Sequence, residues 1–243
     1  MRSRLCKSFR SKLFFFDLNK LARIYNTDKW GTHSYTPIYQ KHFKNHKFKR
    51  VNLLEIGVGG YNNPKRGGNS LRMWKAYFPF ARIFSIDIYD KSSLQENRIK
   101  IFQGDQTDET FLSNVVSETG SIDIIIDDGS HINSHIIKTF NILFPSLKDG
   151  GIYAIEDIQT SYWKEYGGDS DNLENPNTTM NYFKKLADGL NYKEYIKPGY
   201  KETYFDKTIT SIHFFHNMIL IYKGNNDQES NMVIDNAGFK KGK

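Results

Sequence analysis

The chain has 243 residues, one cysteine and a formal net charge of +7 at pH 7. This length is enough for one large α/β domain, and 18 Phe and 15 Tyr residues exclude a disordered chain. A single cysteine excludes an intrachain disulfide and a zinc site built from cysteines, and no apolar run approaches the ~20 residues of a membrane span. The excess positive charge lies in residues 1–50 and at the C-terminal end, where a basic end either contacts an anionic partner or, more commonly, is solvated.

The first 50 residues are predicted to form a helical cap with a polar loop. Residues 1–24 have the pattern of one or two basic amphipathic helices. The expected apolar contacts of these helices are Leu13, Phe16, Leu18 and Leu21. Residues 25–39 are dense in Asp, Lys, His, Thr and Tyr, and Pro37 suits the first turn of a following helix. Such a loop either covers a functional site or is an ordinary N-terminal cap, and the local pattern fits both interpretations.

The first βα unit follows this cap. Residues 51–56 are predicted to be a strand, and residues 69–78 a helix that Pro79 ends. Between them lies a glycine-rich turn, which lets the backbone approach a ligand closely in nucleotide-binding folds. The spacing is not that of G-x-G-x-x-G, so the turn by itself is weak evidence for any particular cofactor.

Two more strands are predicted at residues 82–87 and 99–103. The first of these ends on Asp87, about where a doubly wound fold places a carboxylate on a ribose diol. The second leads into a turn that contains Asp105, and Thr107 or Asp108 is predicted to cap the next helix.

The most informative stretch is the apolar strand at residues 122–126 and the polar residues that follow it. These are Asp127-Asp128-Gly129-Ser130-His131. In open α/β sheets, ligands bind just beyond the carboxyl ends of the strands, where carboxylates and an imidazole suit metal binding or proton transfer. The alternative is a turn with a helix cap whose carboxylates face solvent, and this stretch alone does not decide between the two.

The remaining elements complete a sheet. Residues 132–147 are predicted to be a helix that Asp149-Gly150-Gly151 ends, and residues 152–155 a fifth strand followed by Glu156-Asp157. The polar loop 159–177 is a candidate lid. It precedes a helix at residues 182–190 and an antiparallel hairpin at 208–222.

These elements predict an α/β fold: a doubly wound, mostly parallel, seven-stranded Rossmann-like sheet with a C-terminal antiparallel hairpin. The expected divisions are an N-terminal helical cap and substrate or cofactor loop (1–50), the Rossmann-like domain (51–224) and a flexible tail (225–243).

This architecture resembles the class I S-adenosylmethionine (SAM)-dependent methyltransferases, in which Glu55-x-Gly57-x-Gly59 resembles motif I. Longer segments resemble the metal-dependent, mycinamicin-type sugar O-methyltransferases of macrolide tailoring. They are Leu53 to Tyr61, Gly68 to Trp74, Asp127 to His131, Ile155 to Trp163, and the loop Asp28-Lys29-x-Gly31-x-His33-x-Tyr35-Thr36-x-x-Tyr39.

The resemblance implies a role for each matching residue. Asp128, Glu156 and Asp157 would bind Mg²⁺ (or Mn²⁺), with Asp128 also counted as catalytic, and His131 would be the catalytic base. The residues assigned to the SAM side are Thr36, Glu55, Gly57, Gly59, Tyr61, Ser70, Asp87, Asp105 and Asp127. Three carboxylates without a cysteine also suit Mg²⁺ or Mn²⁺ better than Zn²⁺ on chemical grounds.

The sequence therefore predicts a cytoplasmic, SAM- and Mg²⁺-dependent O-methyltransferase that acts on a sugar hydroxyl. The expected substrate is a small sugar or nucleotide-linked sugar, with capsular or other surface polysaccharide as the favoured context. We expect no nucleic-acid partner and no membrane span, and a homo-oligomer is an open possibility. The alternatives are O-methylation of a phosphate-like or catechol oxygen, and a nonenzymatic cofactor-binding protein.

Overall fold

The computed structural model describes residues 11 and 13–231. Its centre is a seven-stranded sheet in the order β3-β2-β1-β4-β5-β7-β6, in which β1 to β5 are parallel and β7 is antiparallel to both of its neighbours. The strands are β1 (Asn52–Ile56), β2 (Arg82–Asp87), β3 (Ile99–Gln103), β4 (Ile122–Asp127), β5 (Leu147–Glu156), β6 (Ile209–Phe215) and β7 (Met218–Lys223). The predicted fold class is confirmed.

Helices cover both faces of the sheet. They are α1 (Leu18–Tyr25), α2 (Thr36–Phe43), α3 (Asn69–Tyr77), α4 (Glu109–Thr119), α5 (Asn133–Leu143), α6 (Thr179–Asp188) and α7 (Tyr204–Thr208). Short 3₁₀ turns lie at Lys44–His46, Ser92–Leu94, Phe144–Ser146, Ile158–Tyr162, Lys164–Tyr166 and Gly189–Glu194. None of the helices described is long and apolar enough to cross a membrane.

The core consists of two apolar layers, one on each face of the sheet. Leu53 of β1 belongs to the layer that includes α1, α2 and α3, and its neighbour Leu54 belongs to the layer that includes α4, α5 and α6. Successive side chains of a strand point to opposite faces, so a strand covered on both faces is mainly apolar on both. This explains the unbroken isoleucine run of β4, which packs into both layers.

The sheet brings the polar strand ends together. Ile56 of β1 pairs with Asp127 of β4, and Asp127 pairs with Ile155 of β5. The next residues, Asp128 and Glu156, therefore lie side by side at the carboxyl edge of the sheet. Because β2 and β4 lie on opposite sides of β1, the chain order also reverses here, which is where such folds bind their ligands.

The predicted boundaries between α5 and β5 are wrong, and the helix predicted at residues 182–190 is α6 (Thr179–Asp188). The helix predicted over residues 132–147 ends at Leu143, a 3₁₀ turn containing Pro145 follows, and β5 already begins at Leu147. Proline has no backbone N–H and cannot continue a helix. Asp149-Gly150-Gly151 therefore lies within β5 and is not the end of the helix.

The chain ends agree only partly with the sequence pattern. Leu18 and Leu21 are buried as expected, but Leu13 and Phe16 are 61% and 59% exposed. Residues 1–10 of the predicted basic helices lie outside the described residues. Of the predicted tail, residues 225–231 are described, and Asn226 bonds to Lys207 and Asp206; the rest lies outside.

Candidate functional site

Four acidic residues lie at the ends of β4 and β5, at the carboxyl edge of the sheet. They are Asp127, Asp128, Glu156 and Asp157, and His131 lies among them. The Nε2 atom of His131 is 4.0 Å from Oδ1 of Asp128 and 3.7 Å from Oδ2 of Asp157. The amide of Asp128 also donates to the Ile56 carbonyl of β1, which fixes the start of this turn to the central strand.

Two of these residues adopt a left-handed backbone. His131 has a φ of 58° and Asp157 a φ of 54°. Residues with a Cβ atom pay about 1–2 kcal/mol for this conformation, and such strain collects at functional sites. Here the sharp turns at His131 and Asp157 direct both side chains to one point.

The N-terminal loop (residues 27–36) supplies a cation to this cluster. The buried Lys29 Nζ is 2.7 Å from Asp128 Oδ2 and 2.7 Å from Glu156 Oε2. It also lies 3.2 Å from Oε1 of Glu55, which projects from β1. Burial by itself would lower the pKa of Lys29, but the three carboxylates outweigh it and raise that pKa well above its usual value. Lys29 is therefore a permanent positive charge inside the site.

Two tyrosines and a histidine from the same part of the chain also contact the carboxylates. The Tyr35 hydroxyl donates to Asp157 Oδ1 at 2.7 Å, and the Tyr39 hydroxyl donates to Glu156 Oε1 at 2.6 Å. His33 stacks on Tyr35 and places its Nδ1 3.7 Å from Asp157 Oδ1. The polar residues of this loop thus lie over the strand ends, which favours the first of the two interpretations of the loop.

Sequence reasoning did not assign roles to Lys29, Tyr35 and Tyr39. They lie 99 to 127 residues before their acidic partners, so no local pattern pairs them. Two signals were available: the dense Asp-Lys-His-Tyr composition of the loop, and its resemblance to a segment of the sugar O-methyltransferases.

The donor atoms suit a hard divalent cation. Asp128, His131 and Asp157 each offer one ligand atom, and these atoms lie within 4.8 Å of one another. Oxygen-rich sets of this kind, with one imidazole and no thiolate, favour Mg²⁺ or Mn²⁺. Glu156, the other predicted ligand, is near, but both of its oxygens bond to Lys29. The three predicted ligands Asp128, Glu156 and Asp157 thus lie close together. The Lys29 ammonium lies between Asp128 and Glu156.

The predicted cofactor side adjoins the acidic cluster. Gly57 has a φ of +94°, and a Cβ placed on it would lie 2.1 Å from the Asp128 carbonyl oxygen. Only glycine permits this close approach of the two turns. Asp87 accepts hydrogen bonds from the amides of Val58 and Tyr89 at 3.0 and 2.9 Å. A Cβ on Gly59 would meet no atom within 4 Å, so the turn has open space beside it.

Two of the predicted cofactor residues, Glu55 and Asp127, are buried. Glu55 is buried, accepts hydrogen bonds from Ser70 and from the Trp74 indole, and has its pKa raised to about 7 because burial outweighs the effect of Lys29. Asp127 is also buried, and burial raises its pKa to about 7 although the Gly129 amide and a glutamine side chain donate to it. The structure gives both residues internal partners.

The other predicted residues are dispersed. Asp105 accepts hydrogen bonds from the Thr107 amide and hydroxyl, which lower its pKa. Tyr61 is 87% exposed. Thr36 is buried, and its hydroxyl donates to Asn19. The structure does not gather these three around one point.

The strand order, the glycine turn beside Asp87 and the polar strand ends define the class I SAM-dependent methyltransferase fold. A solved structure of the MycE methyltransferase from the mycinamycin biosynthetic pathway, in complex with Mg and SAH, matches with a TM-score of 0.85. It is 44% identical in sequence and covers 88% of this chain and 56% of that one. No family model matches the chain.

Curated proteins give the same result. The chain is 44% identical over 214 residues to the mycinamicin VI 2''-O-methyltransferase of Micromonospora griseorubida, over 87% of this chain and 54% of that protein. Identity and coverage are the same for the demethylmacrocin O-methyltransferase of Streptomyces fradiae. The chain is also 43% identical to an 8-demethyl-8-alpha-L-rhamnosyl tetracenomycin-C 2'-O-methyltransferase of Streptomyces olivaceus, over 84% of this chain and 53% of that protein.

The chain is therefore a homologue of sugar O-methyltransferases of the mycinamicin type, and the resemblance inferred from its motifs is confirmed. It spans about half the length of the curated relatives it matches.

Proposed function

We propose that this chain transfers the methyl group of SAM to a sugar hydroxyl, with Mg²⁺ or Mn²⁺ as an essential ion. The observation that carries the proposal is the meeting of Asp128, His131 and Asp157 beside the glycine turn and Asp87. This arrangement puts metal ligands and a base next to a nucleotide crevice. Similarity to a methyltransferase solved with Mg and SAH supports both cofactors.

Methyl transfer from a sulfonium is an in-line displacement, so the protein must mainly align the two reactants. SAM supplies the electrophilic methyl group, and a bound divalent cation supplies the positive charge that makes a sugar hydroxyl acidic enough to react. Asp128 and Asp157 would hold the cation, and the glycine turn with Asp87 would orient the nucleoside. These residues account for alignment and activation.

His131 is the proposed proton acceptor. It lies two residues before the first residue of α5, and a neutral imidazole in this position can accept a proton. Once protonated, the ring would lie 3.7 to 4.0 Å from Asp157 and Asp128, whose charges stabilise the imidazolium. The acceptor hydroxyl must therefore lie within hydrogen-bond reach of Nε2.

For the acceptor we propose the sugar of a glycoside. The relatives are named for methylation at sugar-bearing mycinamicin and rhamnosyl tetracenomycin compounds. Surface polysaccharide and a nucleotide-linked sugar, both predicted from the sequence, have no support from these relatives and enter as further arms of the test. A cytoplasmic location and a homo-oligomer stay predictions.

We also propose the division into a cap (1–50), a catalytic domain (51–224) and a tail (225–243). Lys29 and Tyr35 of the cap contact Asp128 and Asp157. These contacts support a cap that is part of the functional site as well as a cover for the core.

The proposal is tested by incubating the protein with SAM and a panel of glycosides, nucleotide sugars and glycan fragments, followed by mass spectrometry. We expect methylation of a sugar oxygen with Mg²⁺ present and none in excess EDTA. Equal turnover in EDTA would contradict the metal role. Methylation of catechols alone would overturn the acceptor class, and SAM binding without turnover on any acceptor would favour a nonenzymatic protein.

A further inference from the structure

Glu55 of β1 extends the acidic cluster to a third strand. Together with Asp128, Glu156 and Asp157 it brings four carboxylates to one edge of the sheet, and Glu55 and Glu156 are almost fully buried. Within residues 11 and 13–231, Lys29 is the one lysine or arginine that forms an ion pair with any of them. Buried carboxylates without a counter-charge strongly destabilise a fold. Lys29 therefore carries the cluster's fixed positive charge.

Lys29 and His131 lie nearest different oxygens of Asp128. The ammonium contacts Oδ2, whereas Oδ1 is the oxygen that lies 4.0 Å from His131. Asp157 repeats the arrangement, because Tyr35 binds its Oδ1 and its Oδ2 lies nearest His131. The N-terminal loop thus occupies one oxygen of each aspartate, and a cation at the candidate site would share Asp128 with Lys29.

We propose that Lys29 is a built-in cation that keeps the acidic cluster folded without metal and at the same time lowers its affinity for a divalent ion. The inference rests on the proposed function in one respect, namely that a divalent cation binds beside Asp128, His131 and Asp157. It makes Lys29 a positioning residue, since its ammonium acts through the carboxylates that it contacts.

The sign of the effect on metal affinity separates this role from a purely structural one. Two cations that share one carboxylate repel each other, and the repulsion at a partly buried site is far stronger than in water. Removing the Lys29 charge should therefore tighten metal binding. If Lys29 only oriented Asp128, its removal would leave the ligand disordered and weaken metal binding.

The test compares Lys29→Met with Lys223→Met. Lys223 is also buried, but its ammonium contacts the carbonyls of Phe144 and Pro145 at the opposite edge of the sheet, so it is a matched control. Mn²⁺ binding is measured by electron paramagnetic resonance, and Tm with and without Mn²⁺, without SAM or acceptor.

We expect metal-free Lys29→Met to melt well below wild type, Mn²⁺ to raise its Tm more than that of wild type, and its Kd for Mn²⁺ to be at least about tenfold tighter. Lys223→Met should lose stability yet bind Mn²⁺ as wild type does. Unchanged or weaker Mn²⁺ binding by Lys29→Met would overturn the inference.

A double variant keeps the test informative if Lys29→Met does not fold. Lys29→Met with Glu156→Gln removes one charge of each sign, so it should be more stable without metal than Lys29→Met alone. A double variant no more stable than the single one would refute the charge-balance argument.

Two outcomes separate this inference from the proposed function. Wild type that binds no Mn²⁺ would contradict the proposed metal site and this inference together. The expected binding results without any methyl transfer would contradict only the proposed function.

Discussion

Replacing Gly57 by alanine should damage both the fold and the acidic site. The added Cβ would lie 2.1 Å from the Asp128 carbonyl oxygen and 3.0 Å from its carbonyl carbon. A carbon and an oxygen that are not bonded approach to about 3.2 Å, so one of the two turns must move by roughly 1 Å. The φ of +94° adds at least about 1–2 kcal/mol for a residue with a Cβ. We expect a total loss of about 3–4 kcal/mol, a large share of a typical domain's stability.

The measurement is urea unfolding of Gly57→Ala and of a control, Gly167→Ala. Gly167 has a φ of +74°, but a Cβ there would meet no atom within 4 Å. The control should therefore lose only the backbone contribution, about 1–2 kcal/mol. Because the clash acts on Asp128, Mn²⁺ affinity should also fall in Gly57→Ala and stay unchanged in Gly167→Ala.

Equal stability of the two variants, together with wild-type Mn²⁺ binding by Gly57→Ala, would refute this reasoning. It would mean that the turns after β1 and β4 separate without cost, and hence that their close approach does not shape the site.

Three further outcomes are expected. His131→Ala should lower kcat by about 10²–10⁴-fold while calorimetry shows SAM affinity within about twofold of wild type, and wild-type turnover would exclude His131 as the base. Asp87→Asn should weaken SAM binding by about ten- to hundredfold, with Mn²⁺ affinity as its internal control. Removal of divalent ions by chelation should abolish turnover, and added Mg²⁺ should restore it. Turnover that returns in metal-free buffer, without added Mg²⁺, would contradict the metal requirement.

The sheet could be predicted from the sequence because its signals are local. Apolar runs bounded by turns predicted every strand, and Asp108, one of the two candidate caps, does accept from the Phe111 amide at the start of α4. The error at residues 144–151 has a local cause as well. The apolar spacing of α5 continues in the sequence to Leu147, past Pro145, and Gly150-Gly151 has the composition of a helix end although it lies in β5.

The site could be predicted only in part. Asp128 and Asp157 follow neighbouring strands, and parallel pairing was enough to bring them together. Lys29 and Tyr39 reach the cluster from a segment far earlier in the chain, so their contacts depend on how the cap packs and not on any spacing. The internal partners of Glu55 were equally invisible, because motif resemblance assigns a residue to a site without giving its neighbours.

The measurement that tests the central claim most directly is calorimetric titration of one protein sample with SAM and with NAD, with Mg²⁺ present. We predict that SAM binds and NAD does not, because the turn after β1 lacks the glycine spacing that binds a dinucleotide's pyrophosphate. Asp87 beside this turn can bind the ribose of either cofactor and does not distinguish them. Binding of NAD without binding of SAM would contradict the assignment of this crevice to methyl transfer.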